Sequence, residues 1–118
     1  GKLLQTEAYN QMHDFCLGHI KKSLAESTAK HIVVVTHHLP TLQVVASQHK
    51  GSVLNSAFAT KYEELIASSR INAWIYGHSH TNINTEIGST KVISNQMGYV
   101  FENEHVINGF DPGKFLTI

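Results

Sequence analysis

Two apolar runs that each stop at histidine place the strongest limit on how this chain can fold. The first covers Ile32–Val35 and leads to His37 and His38, and the second covers Ala73–Tyr76 and leads to Gly77-His78-Ser79-His80. Apolar runs without alternation are typical of strands buried on both faces, which occur mainly in parallel sheets covered by helices. We therefore predict two parallel strands.

The segment between the two runs is long enough for the crossover that parallel strands require. It contains a helical pattern that Asn55 or Ser56 is suited to cap. The core face of this crossover helix would consist of Phe58, Tyr62, Leu65 and Ile66. Both strands would then end at the same edge of the sheet, where ligands bind in open α/β folds.

The start of the chain predicts an amphipathic helix over residues 3–24, because apolar side chains recur there at spacings of three and four. Its core face would consist of Leu4, Ala8, Tyr9, Met12, Phe15, Cys16, His19, Ile20 and Leu24. Cys16 is the only cysteine and has no internal disulfide partner. We interpret it as a small core residue, which suits a reducing, cytoplasmic compartment.

Two loops and a hairpin are predicted around the histidine motifs. A loop over residues 41–55 follows Pro40 and carries His49, which is either a solvated loop residue or a substrate contact. After Asn82, alternating apolar residues and a Gly88-Ser89 turn predict a hairpin with its second strand at residues 90–94.

The remaining predictions concern the end of the chain. They are a short strand at 98–101, a loop at 103–114 and a strand-like end at 115–118.

Length and charge exclude several classes of function. With 118 residues, the chain forms a single domain or part of one over residues 1–118. Acidic and basic residues balance at nine each and Arg70 is the only arginine, so no basic stripe is available to track nucleic acid. Neither a membrane span nor a signal peptide is evident, and we expect no membrane association.

The histidines indicate a metal site. In an extended segment, residues two apart point to the same side, so His78 and His80 would reach one metal each or share one. Adding His37 from the neighbouring strand end gives three nitrogens, a set suited to zinc, manganese or iron.

The strand that ends in His37-His38-Leu39-Pro40, followed after a crossover by Gly77-His78-Ser79-His80, resembles the last two metal-binding motifs of the calcineurin-like metallophosphoesterases. The resemblance implies the C-terminal half of that family's α/β/β/α sandwich: a βαβ unit followed by an antiparallel hairpin region. It implies that His37 and His78 bind one metal and that His80 binds the other. His38, His49 and Asn82 would lie near substrate or support the ligands.

The family's earlier motifs, which supply the bridging aspartate and the catalytic histidine, do not occur in this sequence. The only aspartates are Asp14 and Asp111, and neither begins an Asp-x-His motif. The complete enzyme would use two divalent ions (Mn, Fe or Zn) to cleave a phosphoester. This chain alone is expected to hold at most one ion, to be inactive, and to need the missing half or self-association.

Three hypotheses follow from the sequence. The first is a metallophosphoesterase, or phosphatase, of which this chain carries part of the dimetal site. The second is a non-catalytic metal-binding or structural α/β module. The third is an α/β core in which the histidines are incidental.

Overall fold

The computed structural model of the protein describes residues 2–45 and 56–118. The chain forms two compact units, Gly1–Lys30 and His31–Ile118. The first unit consists of one α-helix, α1, over Lys2–Glu26. The second contains a four-stranded sheet with its connections. The predicted α/β class is therefore confirmed.

The helix predicted at the start of the chain is confirmed, but its predicted core face is wrong. Several positions of that face are exposed: Ala8, Met12, Phe15, Cys16 and His19. Phe15 is 77% exposed, whereas Leu17, outside that face, is buried. Spacings of three and four show which side chains share a face of the helix, but they do not show which face is buried. Neither α1 nor any other helix in the described ranges combines the length and apolar character needed to cross a membrane.

The sheet has the strand order β1-β2-β4-β3. Its strands are β1 (Val33–Val35), β2 (Ala73–Ile75), β3 (Thr85–Ile87) and β4 (Thr90–Ile93). β1 and β2 are parallel, with Val34 opposite Trp74, as the two apolar runs predict. β3 and β4 form the predicted antiparallel hairpin. β4 also pairs in parallel with β2, so the hairpin extends the same sheet.

The crossover between β1 and β2 contains the predicted helix, α2, over Ser56–Ser68. Tyr62 and Ile66 are buried on it, and the Tyr62 ring meets the Trp74 ring edge-on with centroids 5.5 Å apart. Trp74 lies on the central strand β2 and is fully buried. Packing between α2 and β2 therefore forms the core beside the strand ends.

β1 is not buried on both faces, contrary to the prediction. Val33 and Val35 are 39% and 69% exposed. Val33 and Val35 are two residues apart and lie on the same face, so one face of this edge strand is open to solvent. A β-branched run fits a pleated surface whether or not the surface is covered, so composition did not distinguish an edge strand from a central one.

The end of the chain also differs from prediction. Residues 98–101 form no strand, and a 3-10 helix covers Val100–Glu102. The predicted loop at 103–114 contains a short helix, α3, over Glu104–Ile107. The Tyr99 amide bonds a Glu104 side-chain oxygen, so it is not available to a strand ladder. Residues 115–118 form no strand, and Phe115 is 86% exposed.

Candidate metal centre

Parallel pairing carries the two histidine motifs to one edge of the sheet. The Thr36 amide donates to the Ile75 carbonyl at 2.9 Å, and the Gly77 amide donates to the His37 carbonyl at 3.0 Å. A Cβ at Gly77 would lie 3.4 Å from that carbonyl oxygen, in van der Waals contact with it. The chain after β2 therefore lies directly beside His37.

Three imidazoles gather at this edge, on His37, His38 and His78. The ring centroid of His78 lies 5.0 Å from that of His37 and 4.5 Å from that of His38. His78 Nδ1 is 3.2 Å from His37 Nε2. One of these nitrogens donates and the other accepts in the metal-free pair, according to the tautomers. The structure thus brings together the two histidines predicted to share one metal.

The support beneath the cluster comes from the sheet. The Trp74 indole N–H donates to Thr36 Oγ1 at 2.8 Å, and the same hydroxyl donates to the His38 carbonyl at 2.8 Å. The buried indole therefore fixes the backbone between β1 and His38. His78 itself has its pKa lowered, first because partial burial disfavours its charged form, and then because positive charge on the imidazoles of His37 and His80 would repel it.

His80 has different surroundings from His78. Both residues have left-handed backbone conformations, with φ of 73° at His78 and 56° at His80, so the segment is not extended as predicted. His80 Nδ1 lies 2.9 Å from Glu104 Oε2, and the Tyr99 ring meets the imidazole edge-on at 4.5 Å. Positive φ is uncommon for residues other than glycine and often accompanies a functional site.

Glu104 is held on the His80 side by its own contacts. Its Oε2 also accepts from the Tyr99 amide at 2.7 Å. That amide bond, followed by the charge and hydrogen bond of His80, keeps the pKa of Glu104 below its ordinary value despite opposing desolvation. These contacts therefore favour the ionised form of the Glu104 side chain.

Three amide side chains fix the backbone around His80. Asn82 accepts from Ser94 Oγ and the Gln96 amide, and donates to the carbonyls of Gln96 and Asn108. The Gln96 side chain accepts from the His80 amide at 2.7 Å. The Asn108 side chain donates to the His80 carbonyl at 3.1 Å. We call Asn82, Gln96 and Asn108 the amide network.

The His37–His78 pair has a spacing that fits one ion. Two nitrogens bound to a tetrahedral ion at about 2.0–2.1 Å lie about 3.3 Å apart, close to the 3.2 Å measured here. Within residues 2–45 and 56–118, no group of three or more His, Cys, Asp or Glu side chains is arranged as a metal-ligand set. The spacing of the pair is therefore compatible with two positions of one coordination sphere.

The site predicted from sequence is thus divided in the structure. His37 and His78 lie together, His38 joins them, and His80 lies with Glu104. Asn82 uses its side chain to support the loop, and His49 lies outside the described residues. Sequence analysis missed Glu104, Gln96 and Asn108. Their spacing to the histidines carries no pattern, because the contacts form only after the last third of the chain folds back.

Comparison with known proteins finds one informative similarity. No family model and no solved structure matches the chain. An uncharacterized protein of Acanthamoeba polyphaga mimivirus is 26% identical over 112 residues, which covers 89% of this chain. The chain spans 36% of that relative's length. The similarity extends over most of this sequence and carries no activity with it.

Proposed function

We propose that the chain supplies histidine ligands to the dimetal site of a calcineurin-like metallophosphoesterase. The observation that carries the proposal is the 3.2 Å separation of His78 Nδ1 and His37 Nε2. It supports the assignment of these two nitrogens as ligand atoms for one ion. His80, on the other side of the same loop, is the proposed ligand of the second ion.

When bound, a pair of divalent ions activates water and neutralises phosphoryl oxygens during in-line displacement. The chain's own contribution is to hold the imidazoles in place before the ions arrive. The sheet edge fixes His37 and His78 through the paired backbone at Gly77. The amide network fixes the backbone of His80. Arg70 is the only arginine of these 118 residues, so this chain's part of the site would neutralise a phosphoester mainly through bound metal ions.

Catalysis requires groups that this sequence does not contain. A dimetal site also needs bridging and terminal oxygen ligands, and the Asp-x-His motif that would supply them does not occur here. We therefore propose that the remaining ligands come from another part of the same protein or from a partner chain. The 118 residues alone are expected to hydrolyse phosphoesters slowly or not at all.

A non-catalytic metal-binding module is the second candidate. It is favoured by the small number of metal-binding atoms at the site. Among the described residues, two histidine nitrogens lie at a distance that suits one ion, and no group of three or more His, Cys, Asp or Glu side chains around them is arranged as a metal-ligand set. This candidate shares the metal ligands with the first and differs only in turnover.

Zinc titration by calorimetry near neutral pH tests the ligand assignment. We expect His37→Ala and His78→Ala each to lower the affinity for the first zinc ion more than about 100-fold. The reason is that even residues that only hydrogen-bond to metal ligands change metal affinity by about 10- to 100-fold. His80→Ala should lower the affinity for that ion less. His31→Ala is the matched control, because His31 is an exposed histidine at the start of the same unit. Equal affinity in all four variants would contradict the site.

Turnover separates the two candidates. The product of the complete reading frame that contains this sequence should hydrolyse an aryl phosphate with manganese, and His78→Ala should abolish the activity. Zinc binding without hydrolysis would favour the non-catalytic module. Rapid hydrolysis by the 118 residues alone would contradict the need for further ligands.

A further inference from the structure

The imidazole of His80 is constrained by two different groups. Glu104 Oε2 lies 2.9 Å from Nδ1, and the Tyr99 ring stands nearly perpendicular to the imidazole, at 88°. The side chain of His80 is 32% exposed. Among the residues that the structure describes, none hydrogen-bonds to Nε2. One ring nitrogen is therefore engaged, and the other is available.

The engaged nitrogen determines where the proton of a neutral ring lies. A carboxylate only accepts hydrogen bonds, so a neutral His80 must carry its proton on Nδ1 to bond Glu104. The lone pair is then on Nε2. A free histidine side chain has no such constraint, and its two tautomers exchange.

The carboxylate is itself held in position. Its Oε2 receives both the Tyr99 amide and His80 Nδ1. Gly98 provides the space: a Cβ there would lie 2.3 Å from Oε2 and 2.8 Å from the Glu104 Cβ. Gly98 also has a φ of 73°, which other residues rarely adopt. The turn before α3 is therefore shaped around this carboxylate.

We propose that Glu104 is a positioning residue that fixes His80 in its Nδ1–H tautomer and presents Nε2 as the metal-binding atom. A hydrogen-bonded carboxylate behind a histidine ligand orients the ring and raises the basicity of the ligating nitrogen. The tautomer follows from the hydrogen bonds themselves, whereas its effect on metal affinity rests on the proposed function. A role limited to closing the turn at Tyr99 would require only the amide bond.

Long-range proton–nitrogen correlation spectra of the metal-free protein with isotope-labelled histidine test the tautomer directly. In the unaltered chain at a pH where His80 is neutral, the spectrum should show the proton on Nδ1. A predominantly Nε2–H ring in the unaltered chain would overturn the proposal. This measurement needs no variant, so it does not depend on how a substitution affects folding.

Variants then separate the carboxylate's effect on the ring from its effect on the turn. Glu104→Ala should convert His80 to a mixture of tautomers, and Glu104→Gln, whose carbonyl still accepts, should retain Nδ1–H. Glu86→Ala removes the same charge from the exposed middle of β3 and should leave the spectrum unchanged. An unchanged tautomer in folded Glu104→Ala, as judged by its amide spectrum, would also overturn the proposal.

Metal titration distinguishes this proposal from the proposed function. If the complete protein binds two manganese ions, Glu104→Ala should lower the affinity for the ion at His80 about 10- to 100-fold. The affinity for the other ion should change less. The fixed tautomer without any metal binding would support the positioning of His80 and contradict the metal centre. Metal binding at His80 that is indifferent to Glu104→Ala would overturn the positioning role and leave the metal centre supported.

Discussion

His78 and His80 are separated by one residue, yet their surroundings are opposite. The His78 ring faces two other imidazoles, and the His80 ring faces a carboxylate and a tyrosine ring. Neighbouring imidazoles disfavour a positive charge on His78, whereas the Glu104 carboxylate accepts a hydrogen bond from a protonated ring nitrogen of His80. The two histidines of one short motif are thus not chemically equivalent. Their properties are set by the segments that fold against them.

The two surroundings also rest on different parts of the fold. The His37–His78 pair depends on the parallel strands β1 and β2 and on the Trp74–Thr36 hydrogen bond. His80 depends on the amide network and on Glu104, which belong to the chain after the hairpin. Damage to one support should therefore leave the other histidine in place, and three substitutions or conditions test this independence.

The largest effect is expected from Asn82→Ala. The substitution removes four hydrogen bonds, and we expect the free energy of unfolding to fall by about 2–3 kcal/mol. Urea unfolding followed by the fluorescence of Trp74, the only tryptophan, measures it. In spectra of the folded variant, the His80 signals should broaden while the His37–His78 contact persists.

Asn84→Ala is the matched control for this prediction. The Asn84 side chain accepts one hydrogen bond from the Ser94 amide, so its removal should cost about 1 kcal/mol or less. If both variants lost the same stability, or if the His37–His78 contact were lost along with His80, the two supports would not be independent.

A smaller effect is expected from Thr36→Val, which alters the hydrogen bonds that support the His37–His78 pair. The valine keeps the shape of threonine but leaves the Trp74 indole N–H without its acceptor, and we expect a loss of about 1–2 kcal/mol in unfolding free energy. Zinc affinity of the His37–His78 pair should fall, while the His80 tautomer should not change. Thr36→Ser retains the hydroxyl and should behave like the unaltered chain.

The smallest effect is expected from pH. Because the pKa of His78 is lowered in the folded chain, the unfolded chain protonates this histidine at a higher pH than the folded chain does. Stability should therefore decrease as pH falls below the ordinary value of 6.5. The lowered pKa of Glu104 produces a separate loss below its ordinary value of 4.5. The free energy of unfolding should be measured against pH. The loss of stability below pH 6.5 should be smaller in His78→Asn, and the loss below pH 4.5 should be smaller in Glu104→Gln. A single step altered by both variants would contradict two separate surroundings.

The sequence predicted the parts of the fold that depend on local pattern. The parallel pairing of β1 and β2, the helix between them and the hairpin at Gly88-Ser89 all follow from apolar runs and a turn. The exposure of Val35 could not be predicted in this way, because an edge strand and a central strand carry the same residues.

The candidate site was predictable only in part. Placing His37 beside His78 required just the parallel connection and the strand ends, both visible in the sequence. The separation of His80 depends on a left-handed backbone and on Glu104, 24 positions later in the chain. Neither a backbone conformation of this kind at a histidine nor a contact formed by an irregular segment leaves a periodic signal.

The left-handed backbone at His78 and His80 also limits how this loop can drift over evolution. Asn, Asp and Gly occupy that conformation more readily than most residues, whereas β-branched side chains are strained there. A lineage released from selection on the imidazoles would therefore accumulate Asn or Gly at these positions before Val or Ile. The residues found at these two positions among descendants would then record the loss of the imidazoles while the loop kept its shape.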